Sequence, residues 1–218
     1  SGGSFVNFDP ANCQAESIAT NFCADGYTTT STTNNGKTIY TVGTGTNSAV
    51  ANAGANYNTL QSAINSVEAN SSSTQTVTLL KDVTEDITIP SGKTITLDLN
   101  GHKIVNSSAA QNNTVADNLR KHTITNNGTL TIMDSVGTGV VDNVSHGRAA
   151  LYNAGTISEI KGGKFTRSVD NSTDETSAKG NSWYVVYNAE NATITKISAG
   201  DFLAIGHFSV SYTHLTLP

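Results

Sequence analysis

The stretch TISEIKGGKF, residues 156–165, decides the fold because TITKISAGDF, residues 193–202, repeats it without a gap. The offset is 37 residues, and the threonine, both isoleucines, the second glycine and the phenylalanine are identical in the two copies. Each copy holds a short alternating strand, a glycine turn and an aromatic residue. A strand of this length cannot bury its apolar face alone, so we expect the copies to stack on one another.

Partial copies accompany this pair. The sequence YNA occurs at residues 152–154 and again at residues 187–189. A weaker third copy, NNGTLTI, lies at residues 126–132, where Thr129 precedes Thr156 by 27 residues. Alternation in this copy predicts that its leucine and isoleucine point inward and its threonines outward.

The spacing of the copies is unequal, 27 and then 37 residues. It predicts loops of variable length on one side of the stack, most clearly over the polar residues 168–181. The asparagine before each repeated strand is expected at equivalent bends. We therefore predict a hydrogen-bonded asparagine ladder formed by Asn126, Asn153 and Asn188.

Both ends of the chain have unusual sequences. Residues 1–5 (SGGSF) match residues 161–165, so we expect the chain to begin inside a preceding repeat. Residues 210–218 (VSYTHLTLP) resemble a translated sequencing adapter, and we predict that they are a non-native tail.

A helix followed by short strands is predicted before the repeats. Asn58 as N-cap and Gln61 reaching back to it suggest a capping box, with a helix over about residues 59–69. Its apolar face is formed by Leu60, Ala63, Ile64 and Val67. The strands that follow are predicted over residues 76–80, 86–89 and 94–99, and the last ends in the turn pair Asn100-Gly101.

The predicted fold class is all-β: a right-handed parallel β-helix, or solenoid, with a short N-terminal capping helix and a preceding small β module. Residues 1–50 are assigned to the end of a preceding repeat or β module. Residues 51–105 form the helix-capped entry, and residues 106–209 form the stacked repeats.

Composition narrows the class of function. Of 218 residues only 13% are charged, 36% are hydrophobic, and the net charge is -5. A disordered chain would combine low hydrophobicity with high net charge, and this chain has neither. No lysine or arginine cluster is present to meet phosphates, so nucleic acid is not an expected partner. No apolar run is long enough to span a bilayer, so we expect no membrane insertion by this segment.

The two cysteines, Cys13 and Cys23, lie ten positions apart. In a secreted protein they can pair as a disulfide, and in a reducing compartment they stay thiols. Neither has a histidine at metal-ligand spacing, so a zinc site is disfavoured. We expect neither a metal nor a cofactor.

The entry segment resembles that of pectate-lyase-like right-handed β-helix domains in large cell-surface proteins of gut Gram-positive bacteria. The resemblance is carried by residues 57–64 (YNTLQSAI), 77–82 (VTLLKD) and 95–102 (ITLDLNGH). In those proteins Gly-Gly-x-Phe-x-x-Asp-Pro followed by Ala-Asp-Gly-Tyr closes a module, and residues 2–10 and 24–27 are similar to that pattern. The resemblance implies an extracellular, multi-module bacterial surface protein and by itself no chemistry.

Catalytic candidates are few. β-Helix lyases and hydrolases need paired carboxylates or a base with cations. Asp98 is expected to point outward from its strand, and in-register stacking would bring it near Asp134. Asp134, Asp142, His146 and Arg148 form a loose group around one variable loop. Aspartates beside glycines are ordinary turn formers, so we favour a non-catalytic role for all of them.

Aromatic residues offer a second candidate site. Trp183, Tyr184 and Tyr187 can form a platform for a sugar ring. The same alternation of Tyr and Val is typical of a half-buried strand, and packing is the favoured interpretation.

The predicted function is a non-catalytic structural or adhesive module on a bacterial cell surface. It would present loops or a face of the stack to an extracellular glycan or another host or bacterial surface ligand. Two alternatives remain open: a carbohydrate-binding or polysaccharide-degrading β-helix, and a phage tail-fibre-like fragment, which would trimerise.

Overall fold

The computed structural model describes residues 2–11, 13, 22–24, 27–44, 49–71, 73–107, 119–145, 147–167 and 184–204. This described part is all-β, with eighteen strands and the single helix α1 (Leu60–Ser66). The strands are β1 (Gly3–Val6), β2 (Tyr27–Asn34), β3 (Lys37–Thr44), β4 (Ala51–Asn52), β5 (Asn56–Tyr57), β6 (Gln75–Leu79), β7 (Val83–Thr84), β8 (Ile87–Ile89), β9 (Thr94–Asp98), β10 (Lys103–Val105), β11 (Ile124–Asn126), β12 (Thr129–Met133), β13 (Val140–Asp142), β14 (Leu151–Asn153), β15 (Thr156–Arg167), β16 (Val186–Asn188), β17 (Thr193–Ile194) and β18 (Ile197–Ala204).

The N-terminal strands form a separate antiparallel sheet in the order β1-β3-β2. β2 and β3 make a hairpin whose turn residues, Asn35 and Gly36, both have positive φ (49° and 73°). This combination of Asn and Gly suits the tight turns that match strand twist. The sheet lies within the first 50 residues, for which a small β module is predicted.

Helix α1 is shorter than predicted, and its N-cap differs. Thr59 is the N-cap, and its side chain accepts a hydrogen bond from the backbone N–H of Ser62. The capping role predicted for Asn58 is therefore wrong: its side-chain amide donates instead to the carbonyls of Ala24 and Tyr27. Gln61 does not reach back either, because its side chain exchanges two hydrogen bonds with the backbone of Thr88.

Apart from β4 and β5, the remaining strands pair in three parallel ladders, and the chain visits the ladders in a fixed order. The first ladder joins β6, β9, β12 and β15 and continues to β17 and β18. The second joins β7, β10, β13, the later part of β15, and β18. The third joins β8, β11, β14 and β16. The first two ladders belong to one eleven-stranded sheet, which is mixed because β4 pairs antiparallel with β5 and β6.

The registers confirm the predicted repeat alignment at both spacings. Thr129 pairs with Thr156, and Thr156 pairs with Thr193. Phe165 pairs with Phe202, and their rings stack with centroids 5.2 Å apart and planes 10° apart. Identical residues thus lie next to one another on successive passes of the chain.

The core lies between the ladders and consists of alternate residues of the strands. The inward residues predicted from alternation are fully buried: Ile95, Leu97, Leu99, Leu130 and Ile132. Burying a branched aliphatic side chain contributes about 1.5–3 kcal/mol relative to leaving it exposed, so this column stabilises the fold.

The predicted asparagine ladder is confirmed. The side-chain amide of Asn126 donates to Asn153 Oδ1 (2.7 Å), and that of Asn153 donates to Asn188 Oδ1 (2.7 Å). All three side chains are buried. The Asn126 amide also donates to the carbonyl of Thr156, and the Asn153 amide also donates to that of Thr193.

Stacked glycines follow the ladder at the same corner. A Cβ atom added to Gly155 would lie 2.3 Å from the carbonyl oxygen of Gly128, and one added to Gly128 would lie 2.5 Å from that of Pro90. Both distances are far below van der Waals contact. The corner between the third and first ladders therefore accepts only glycine at these positions.

Candidate functional site

Asp98 and Asp134, the weak catalytic candidates, do come to one corner of the structure. The parallel register pairs Asp98 with Met133, which precedes Asp134. Asp98, predicted to point outward between the inward Leu97 and Leu99, is only 8% exposed. The neighbouring turn at residue 135 covers it.

The oxygens of both carboxylates bind backbone amides. Asp98 Oδ1 accepts hydrogen bonds from the N–H groups of Asn100 (2.9 Å) and Ser135 (3.0 Å). Asp134 accepts from the N–H groups of Gly101 (2.8 Å) and Gly139 (2.6 Å), one on each oxygen. These bonds hold adjacent turns in place, which is the usual role of aspartate in a turn.

Asp142 is also engaged across strands. It is buried, and its Oδ1 accepts a hydrogen bond from Thr166 Oγ1 at 2.7 Å. Its Oδ2 lies 3.1 Å from the ammonium of Lys103. Lys103, Asp142 and Thr166 occupy three consecutive strands of the second ladder, so the carboxylate links successive passes of the chain.

Arginine side chains gather beside the corner between the second and third ladders. Arg148 donates through Nε to the carbonyl of Arg120 (3.1 Å) and through Nη1 to that of Gly147 (2.9 Å). Arg167 is 1% exposed and donates to the carbonyls of Ser145 (3.1 Å) and Arg148. His146, which was grouped with Arg148, lies outside the described residues.

His122 adjoins this basic cluster and is neutral at physiological pH. Its Nδ1 accepts a hydrogen bond from the backbone N–H of Ala149 at 2.9 Å, so the ring proton lies on Nε2. Burial, together with the charges of Arg148 and Arg167, lowers the pKa of His122 from 6.5 to about 4. Desolvation and nearby cations both disfavour the protonated ring.

An aromatic column, defined as His122, Tyr152, Tyr187 and Tyr184, lies on the outer side of the third ladder. The His122 and Tyr152 rings stack with centroids 4.6 Å apart, and the Tyr152 and Tyr187 rings stack at 5.4 Å with planes 5° apart. Tyr184 tilts against Tyr187 at 5.3 Å and 58°. All four residues are half-buried.

The column differs from a sugar-binding platform, which exposes rings side by side in one plane. Here the ring faces of Tyr152 and Tyr187 pack against each other, which is a stabilising arrangement in its own right. Trp183, the third residue of the predicted platform, lies outside the described residues. In the sequence, the repeated YNA is the feature that indicates the Tyr152–Tyr187 pair. No periodicity indicates His122 or the buried Arg167.

The two cysteines considered for a disulfide, Cys13 and Cys23, are both half-buried. Burial, and secondarily the carboxylate of Asp9, raises the pKa of the Cys23 thiol. A raised pKa lowers the fraction of reactive thiolate. In the part of the chain that the structure describes, no group of three or more His, Cys, Asp or Glu side chains is placed to hold a metal ion.

Comparison with protein families, with curated proteins and with solved structures gives no match to this chain. Among the described residues, no helix has the length and apolarity needed to cross a bilayer.

Proposed function

We propose that this chain is a right-handed parallel β-helix that serves as a non-catalytic, ligand-presenting module of a bacterial cell-surface protein. The observation that carries the proposal is the fixed order in which the chain visits three parallel ladders, with equivalent residues in register on successive passes. A solenoid built from such passes is a stiff, extendable support, since each pass contacts only its neighbours.

The hydrogen bonds of the acidic residues favour support over catalysis. Asp98, Asp134 and Asp142 direct their oxygens at turn amides, a threonine hydroxyl or a lysine ammonium within the fold. A general acid or base must instead reach a substrate proton. Removing any of these carboxylates is therefore expected to loosen the structure rather than to stop a reaction.

Ligand presentation is assigned to the corner between the second and third ladders. Long segments join these ladders at residues 106–123, between β10 and β11, and at residues 168–185, between β15 and β16. Loops on a rigid scaffold are where binding residues concentrate. The aromatic column and Arg167 lie beside this corner and brace it.

The sequence resemblance to pectate-lyase-like domains of gut Gram-positive surface proteins supports the same assignment. It supports an extracellular location and makes an extracellular glycan, or another host or bacterial surface molecule, the proposed ligand class. This assignment rests on the motifs in residues 57–64, 77–82 and 95–102.

The fold is tested by adding a pass. Residues 156–192 are duplicated in tandem, which inserts one further 37-residue unit into all three ladders. A β-helix accepts the insertion, and the enlarged chain unfolds in a single cooperative transition at higher denaturant concentration. Loss of cooperative unfolding contradicts the β-helix. Deletion of one residue from the β15 part of the duplicated unit is the control, because it moves the inward side chains to the outer face.

The role is tested with the intact chain on a glycan array and on host epithelial cells, beside depolymerisation assays on pectin and other acidic polysaccharides. Replacing residues 108–118 with a short Gly-Ser linker is expected to abolish binding and leave the unfolding midpoint unchanged. Depolymerisation by the wild type that Asp134→Asn removes without loss of stability would establish the enzymatic alternative instead.

A further inference from the structure

Strand β1 repeats the local geometry of β18, the last described strand of the stack. Gly3 has φ 126° and Gly200 has φ 127°. At both sites an added Cβ would contact the ring of the phenylalanine two residues later, Phe5 or Phe202, at 3.5–3.7 Å; at Gly200 the carbonyl oxygen of Gly163, on the paired strand β15, lies closer, at 3.2 Å. Gly3 and Gly200 therefore share a φ value and a contact with the following phenylalanine, although β1 pairs antiparallel with β3 and β18 pairs parallel with β15.

Within the described residues, both strands are edge strands. β1 pairs only with β3, and β18 pairs only with β15. An edge presents unpaired N–H and C=O groups and is a template for another strand. Apolar side chains are exposed at each edge: Phe5 (36%) and Val6 (55%) on β1, and Leu203 (48%) on β18.

We infer that β1 of one copy of this chain adds to β18 of a second copy, in parallel and in the register already used between β15 and β18. That register pairs Lys164 with Asp201 and Phe165 with Phe202. When the same register is applied between β18 and the added β1, Ser4 lies opposite Asp201, and Phe5 lies on the outer face of the Phe202 ring. The Phe165–Phe202 stack thereby extends by one ring.

The occupant is a second copy because a single chain carries both complementary edges. Each copy offers one β1 and one β18, so the contact is heterologous and repeats head to tail. Strand addition of this kind gains its affinity from backbone hydrogen bonds and its register from alternate side chains. The contact does not depend on which ligand the proposed presenting corner binds.

Register-specific cross-linking tests the contact. In full-length chains carrying C13S and C23S, a Ser4→Cys chain is mixed with an Asp201→Cys chain and oxidised. A covalent dimer on a non-reducing gel is expected. The control pairs Val6→Cys with Asp201→Cys, two positions out of register and about 7 Å further along the strand, and is expected to stay uncross-linked. Equal yields from the two mixtures, or none from either, overturn the inference.

Sedimentation of the wild-type chain supplies an independent measurement. Its mass is expected to rise with concentration, and Val6→Glu is expected to abolish the rise because the new carboxylate faces Leu203 and adjoins Asp201. Val136→Glu, at a valine that is exposed elsewhere, is expected to leave the rise intact. A mass that is constant with concentration, or a closed dimer insensitive to Val6→Glu, contradicts head-to-tail addition.

Discussion

The Nζ atom of Lys93 lies 2.6 Å from the carbonyl oxygen of Val67, the C-cap residue of α1. The same ammonium donates to the carbonyls of Ile64 and Asn65. At the other end of the helix, the carboxylate of Glu85 accepts from the N–H groups of Leu60 and Gln61. A positive charge at the C-terminus and a negative charge at the N-terminus both complement the helix dipole.

These two side chains hold a helix that is too short to persist alone. α1 has seven residues, whereas isolated helices below about 12 residues are marginal in water. We expect Lys93→Met to lower the free energy of unfolding by about 2 kcal/mol, because buried carbonyls lose their donor. Denaturant titration measures the change. Lys37→Met, at an exposed lysine, is the control, and an equal loss in both variants would refute the capping role.

The asparagine ladder predicts a larger effect at its centre. Asn153→Ala removes the partner of Asn126 and of Asn188 in one step and is expected to cost about 3 kcal/mol, since each buried polar group left unpaired costs about 1–3 kcal/mol. Calorimetry of Asn153→Ala and of Asn127→Ala, an exposed neighbour, provides the comparison. Similar melting temperatures for the two variants would show that the ladder contributes little.

The glycine corner predicts a steric effect without any change in polarity. Gly155→Ala places a methyl group 2.3 Å from the Gly128 carbonyl oxygen, so the corner must move, at a cost of about 1–3 kcal/mol or more. Gly43→Ala meets no atom within 4 Å and is expected to be neutral. Hydrogen exchange of the amides of β14 and β15 should increase in the first variant only. Unchanged exchange in Gly155→Ala would contradict the close packing.

Because the pKa of His122 is lowered in the folded state, we expect the free energy of unfolding to depend on pH. Its folded-state pKa of about 4 lies below the ordinary 6.5, so between these values the unfolded chain binds a proton that the folded chain does not. The stabilisation that follows from this lowered pKa is complete above pH 6.5 and is lost as the pH falls toward 4. His122→Phe keeps a ring on Tyr152 and should flatten this part of the profile, measured as unfolding midpoint against pH. His102→Gln, which removes a histidine elsewhere, should retain the slope.

What the sequence predicted well rests on repetition. Thr156 and Thr193, and Asn153 and Asn188, are identical residues in equivalent positions, so aligning the copies was enough to infer which residues pair. The inward column of isoleucine and leucine followed from alternation alone. These features depend only on local periodicity and on copies packing against copies.

The features that were missed depend on contacts between distant residues. Asn58 and Thr59 are both good N-caps, and the structure uses Thr59 because Ala24 and Tyr27 engage the Asn58 amide. Asp98 is buried because the turn at Ser135, 37 positions later, folds over it. The sequence around such a residue does not show which distant residue will contact it.

The three corners of the stack differ in how much length variation they tolerate. The corner that carries Asn126, Asn153 and Asn188 has only two or four residues before the next strand, and Gly128 and Gly155 leave no space there for a methyl group. The corner after the second ladder accommodates segments as different as residues 85–86 and 168–185. Insertions and deletions are therefore expected mainly at the corner after the second ladder. Foreign peptides grafted at residues 108–118 should be displayed without disturbing the register of the strands.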